Sequence, residues 1–159
     1  MGMSATLLAM VLLASGAEEG PEGPLVAVLE LKNSLPVDRL QYAEKLRYAL
    51  NAEGLHVMMR GHMQELAQAN PSALDRCNDK DCVEVGRLLG ADIVVEGELA
   101  TAEKGVVLSL RAVDTRARKV VGTARLERKS PKALLDDVRE AARQLADGVL
   151  DRPPRPPAK

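Results

Sequence analysis

The sequence predicts an α/β fold: a two-layer sandwich with a mixed sheet of about five strands, including an antiparallel three-strand meander, and helices packed on it in the order β-α-β-α-α-β-β-β-α. Three observations carry this. LVAVLEL, residues 25–31, is a short apolar run rich in Val and Leu, as expected of a strand buried on both faces. Three segments between residues 91 and 128 alternate apolar and polar side chains with short connections between them, the pattern of consecutive hairpins. Near the C-terminus, Leu134, Val138, Ala141, Ala142, Leu145 and Val149 form a stripe at helical spacing.

Each element has its own local cause. After the first strand, Pro36 and Asp38 open a helix with Leu40, Ala43, Leu46 and Leu50 on one side, and Gly54 stops it. LHVMM, residues 55–59, is a second short strand and GHMQELAQA, 61–69, a second helix. The polar segment 70–81 begins Asn-Pro and reads as a loop. Cys82 to Leu89 then form a short helix with Val85, Leu88 and Leu89 toward the core, acids near its start and Gly90 at its end. In the meander, Ile93, Val95, Gly97 and Leu99 share a face with Val106, Leu108, Leu110 and Ala112, and with Val120, Gly122, Ala124 and Leu126. Ser130 and Pro131 are an N-cap and first-position pair for a single long closing helix.

The ends read differently. The run from Ala5 to Ala14 is apolar and is followed by Ser15, Gly16 and Ala17. It is shorter than the roughly 20 residues that cross a bilayer and fits a secretory signal peptide cleaved after Ala17. Residues 18–24 are a linker, 25–150 one α/β domain, and 151–159, DRPPRPPAK, an extended Pro-rich tail expected to be disordered. The expected location is the periplasm, with no transmembrane segment once the signal is removed.

Composition excludes several functions. With 46% hydrophobic and 28% charged residues and a net charge of -1, the chain has the balance of a globular protein and no overall field to recruit nucleic acid. Two Tyr, no Trp and no Phe leave little to stack bases on, so no nucleic acid is expected as a partner.

The two cysteines, Cys77 and Cys82, are spaced C-x4-C, unlike the C-x-x-C of a redox pair, and neither has a neighbouring His to activate it. In an oxidising compartment they form a structural disulfide that stabilises the domain by roughly 2 kcal/mol. The alternative is a zinc-binding or enzymatic protein using Cys77, Cys82, His56 and His62; a further alternative is a cytosolic regulator that keeps its apolar N-terminus. Asp92, Glu96 and Glu98 suit solvent-facing strand positions better than an acid-base pair. Gly86 and Gly90 form no phosphate loop, since no GK[ST] follows them. The chain is therefore not expected to be an enzyme or to need a cofactor, and the sequence points to no small-molecule ligand. Arg116, Arg118, Lys119, Arg125, Arg128 and Lys129 concentrate positive charge near the last strand and are the expected contact surface.

The residues VAVLEL, VMMRGHMQEL, CNDKDCVEVGRLLGADIVVEGEL and LRAVDTRARKVVGTARLE together resemble the periplasmic domain shared by CsgG-type proteins and the N-terminal domain of TolB-like proteins, over about residues 25–147. That resemblance implies a non-catalytic role in an envelope assembly, with an envelope protein or a second copy as partner. Two departures stand out. Arg118 lies where such domains often carry Gly, and no spare alternating segment is available for a pore-forming hairpin.

Overall fold

The computed structural model describes residues 23–70, 74, 79–153 and 155–156, with the side chains of 79–81 excepted. The expected leader, most of the expected linker and Cys77 lie outside them. The expected α/β sandwich is present. Its elements are β1 (Leu25–Val28), β2 (Lys32–Asn33), α1 (Arg39–Ala52), β3 (His56–Val57), α2 (Arg60–Leu66), α3 (Asp79–Leu89), β4 (Ile93–Ala102), β5 (Gly105–Asp114), β6 (Lys119–Arg128), α4 (Pro131–Asp136) and α5 (Val138–Val149).

The strands make one mixed sheet in the order β3-β1-β4-β5-β6, with β2 also paired to β4. β1 is parallel to both β3 and β4, while β4, β5 and β6 form the expected antiparallel meander. β1 is buried on both sides, as its composition requires. Val26 and Val28 join the main core under α1, α4 and α5, and Ala27 joins a smaller cluster under α2 and α3. The second cluster also takes Leu29, Met63, Cys82, Val85, Leu89 and Val94, so α2 and α3 cover the opposite face only around β1 and β4.

Capping follows the sequence. Asp38 accepts the Leu40 N–H at 2.9 Å and Ser130 accepts that of Ala133 at 3.2 Å, each satisfying a donor that its helix leaves open. Gly54 ends α1 at φ 96°. At Gly86 an added Cβ would lie 2.4 Å from a Val94 methyl and 2.5 Å from one of Thr115; the glycine is what lets α3 lie directly on the sheet.

Several expectations are corrected. Leu40 is 38% exposed and Leu88 50% exposed; in α1 the buried stripe runs instead through Tyr42, Ala43, Leu46 and Leu50. In β6 the register shifts between Ala112 and Val113, so that Ala112 pairs with Gly122 and Val113 with Val120. Val121 is the extra residue. The bulge turns Val121 onto the core and leaves Val120 49% exposed, the reverse of strict alternation. The closing helix is also two helices. It breaks at Asp137, which accepts a hydrogen bond from Arg128 Nε at 2.6 Å.

Among the described residues the most deeply buried charged group is Arg47, 1% exposed; its Nη2 donates to the Val28 carbonyl at 2.8 Å and its Nη1 to Glu44 at 2.5 Å. Burial lowers its pKa, against the pull of Glu44. Its role is to satisfy a backbone acceptor at the end of β1.

Candidate interaction surface

β6 ends the sheet on one side and the two-residue β3 on the other. An antiparallel edge strand turns the N–H and C=O of alternate residues outward, away from its one neighbour. In β6 the outward set includes Arg125 and Glu127. The Arg125 N–H donates to Oε1 of Gln144 on α5 at 3.2 Å, and the Glu127 carbonyl accepts from Arg128 Nη1 at 2.8 Å. These outward backbone groups are thus met by the side chains of Gln144, exposed, and Arg128, half-buried, which a partner's strand can replace.

α5 can serve β6 in this way because the two approach at glycines, Gly122 and Gly148. Between them and α4 runs a groove of about 870 Å³ whose lining includes Arg125, Leu126, Arg128, Asp137, Arg143 and Gln144. A second hollow of about 450 Å³ beside it is lined by Thr123, Gln144, Asp147, Arg152 and Arg155 among others. Asp147 is 7% exposed, and the Arg155 hydrogen bond holds its carboxyl below the usual carboxylate range, reinforced by the charges of Arg152 and Arg143 and opposed by burial. The tail's arginines are fixed here by Asp147 and Glu53.

The expected basic surface is divided. Arg116 and Arg118 lie in the β5–β6 turn and Lys119 opens β6; Arg116 is 3.7 Å from Asp92, and Arg118 is 3.7 Å from Glu84. Arg128 and Lys129 lie at the other end of β6, about 30 Å away at the usual strand rise. Arg128 pairs with Asp137 at 2.6 Å, and Arg125 lies 3.6 Å from Glu127. The groove therefore gathers Arg125 and Arg128 and leaves the other four outside it. Sequence reasoning missed Gln144, Arg143 and Asp137. Gly122 in a strand and Gly148 in a helix were the available signals of close backbone approach.

Cys82 is buried in the smaller core cluster, its sulfur against Oε2 of Glu96, whose other oxygen is paired with Arg111. Glu96 on β4 is thereby held by Arg111 on β5. Cys77, the other half of the expected disulfide, lies outside the described residues. His56 is on β3; His62 is on α2, exposed, with Glu65 at 3.8 Å. Among the described residues no group of three or more His, Cys, Asp or Glu side chains is arranged to hold a metal ion.

No family model matches the chain, and no curated protein does. The fold does have counterparts among solved structures. The C-terminal domain of LpoB from Escherichia coli superposes with a TM-score of 0.56 at 15% identity, covering 70% of this chain and 86% of that one. Lipoprotein GNA1162 from Neisseria meningitidis gives 0.51 at 16% identity over 66% and 81%. TolB from Acinetobacter baumannii gives 0.51 at 14% identity, covering 82% of this chain and 28% of the longer TolB chain. The TolB-like part of the resemblance is upheld at the level of fold; the CsgG-type part rests on sequence alone.

Proposed function

We propose that this chain is an exported, non-catalytic binding or assembly module of the bacterial cell envelope, and that it engages an envelope protein or a second copy of itself along the β6 edge and its groove. The observation that carries the reading is the edge itself. β6 is ten residues long, and outward-facing backbone groups along it are met by the side chains of Gln144 and Arg128. An edge of that length is a template for an added strand.

Export is supported by the apolar leader with small residues before Glu18, by the fold shared with a lipoprotein and with TolB, and by the cysteines. Cys77 and Cys82, spaced C-x4-C, are expected to pair in an oxidising compartment. No helix among the described residues is long and apolar enough to cross a membrane. The non-catalytic reading is supported by the use already made of the carboxylates: Glu96 is paired with Arg111, and Asp92 accepts the Leu25 N–H at 2.9 Å.

Non-reducing mass spectrometry of protein from cell fractions tests this reading. The expected species is a periplasmic chain beginning at Glu18 whose mass is lower by the two hydrogens of one disulfide. A cytosolic chain retaining residues 1–17, with both thiols open to alkylation, overturns it in favour of a cytosolic regulator; stoichiometric zinc overturns it in favour of the metal reading.

A further inference from the structure

The C-terminal segment reads R-P-P-R-P-P over residues 152–157. Proline-rich chain favours the polyproline helix, which has three residues per turn, so side chains three apart lie on one face. Arg152 and Arg155 have that spacing, and the structure brings both to the same two carboxylates. Nη2 of Arg152 lies 3.3 Å from Glu53 Oε2 and 3.1 Å from Asp147 Oδ1, and Nη2 of Arg155 lies 2.6 Å and 2.8 Å from the same two oxygens. Arg152 Nη1 also donates to the Glu53 carbonyl, 3.4 Å away, at the end of α1. The receptor half of this arrangement comes from two separate helices. Glu53 caps α1, and Asp147, nine-tenths buried, belongs to α5.

We infer that the Glu53–Asp147 pair is a binding site for an extended, proline-spaced segment bearing arginines three residues apart, and that the chain's own tail occupies it as a removable strap. Three physical points favour such a segment there. The planar guanidinium fork can serve two carboxylates at once, which a lysine point charge does not reproduce. Prolines lower the entropy lost when the segment is held. Asp147, Arg152 and Arg155 also line the hollow that contains Thr123 on the β6 edge, while Glu53 lines the neighbouring groove, so the strap narrows the approach to that edge. Release of the tail would widen it. The inference rests on the clamp geometry and holds in whatever compartment the chain resides.

The test uses the full-length chain carrying Arg152→Ala and Arg155→Ala, titrated at low ionic strength with the synthetic peptide Arg-Pro-Pro-Arg-Pro-Pro and followed by the backbone amide NMR shifts of residues 53 and 147. Saturable binding is expected, about tenfold or more tighter than to the unaltered chain, whose tethered tail competes at an effective concentration on the order of millimolar. Adding Asp147→Asn should abolish the binding, and the peptide Ala-Pro-Pro-Ala-Pro-Pro should not bind. Equal affinity for the altered and unaltered chains, equal binding of the alanine peptide, or no binding to a folded double variant overturns the inference. If the double variant does not fold, the unaltered chain still decides. Raising the salt from about 0.02 M to about 0.5 M screens the clamp and should sharpen the backbone amide signal of Arg155 while core signals stay put; a tail unaffected by salt overturns the inference.

Discussion

Gly122 on β6 and Gly148 on α5 meet backbone to backbone: a Cβ added to Gly148 would lie 2.8 Å from the Gly122 Cα and 3.0 Å from the Val121 carbonyl oxygen. This approach seats α5 on the edge strand, and one turn earlier Gln144 reaches the Arg125 N–H. It gives Gly148→Ala an unusual sign. In an open helix the change would stabilise by about 1 kcal/mol. Here the methyl group meets backbone that cannot rotate away, and overpacking costs roughly 1–3 kcal/mol. The net expectation is a loss of up to about 2 kcal/mol in urea unfolding. Gly61, with nothing within 4 Å of an added Cβ, is the control, and Gly61→Ala should gain about 0.5 kcal/mol.

Arg118 turns the β5–β6 connection at φ 55°, a conformation that costs an L-residue about 1 kcal/mol. Its Glu84 partner is 3.7 Å away and both side chains are more than half exposed, so that pair contributes little. Arg118→Gly should therefore raise stability by about 0.5–1 kcal/mol. A lower urea midpoint would mean that the Glu84 contact outweighs the backbone strain.

Acid should weaken the clamp on the tail. The hydrogen bond from Arg155 lowers the Asp147 pKa in the folded chain, so the unfolded carboxyl, near 3.9, takes up its proton first as pH falls. The stabilisation is whole above the unfolded value and is lost as pH drops through the folded one. Urea midpoints measured from about pH 6 to about pH 2 should fall more steeply for the unaltered chain than for Asp147→Asn, with the two curves converging at the acid end. Parallel curves would show that the carboxylate does not contribute in this way.

What was legible in the sequence is what short-range pattern determines. Two-faced burial of β1 follows from LVAV, the meander from period-two alternation, and the starts of α1 and α4 from Asp38 and Ser130. The bulge at Val121 was not legible, because one extra residue changes the facing only relative to the partner strand, and Val120 and Val121 are chemically identical. β2 escaped notice because two residues, Lys32 and Asn33, carry no periodicity, and their pairing with Glu98 and Leu99 is set by where β4 runs. The groove beside β6 was half legible. Arg125 and Arg128 were identified by charge, whereas Gln144 joins them through the packing of α5. The tail arginines read as part of a free end because their acceptors, Glu53 and Asp147, lie elsewhere in the chain.

The proposed docking edge is tested most directly by placing a photo-crosslinking amino acid, one position at a time, at Thr123 on β6, at Gln144 on α5 and at Tyr48 on the exposed side of α1, 65% exposed, and irradiating living cells. Thr123 and Gln144 should yield a discrete cross-linked species, either to one envelope protein or to a second copy, and Tyr48 should not. Cross-linking at Tyr48 with none at Thr123 or Gln144 would contradict a partner docked along β6.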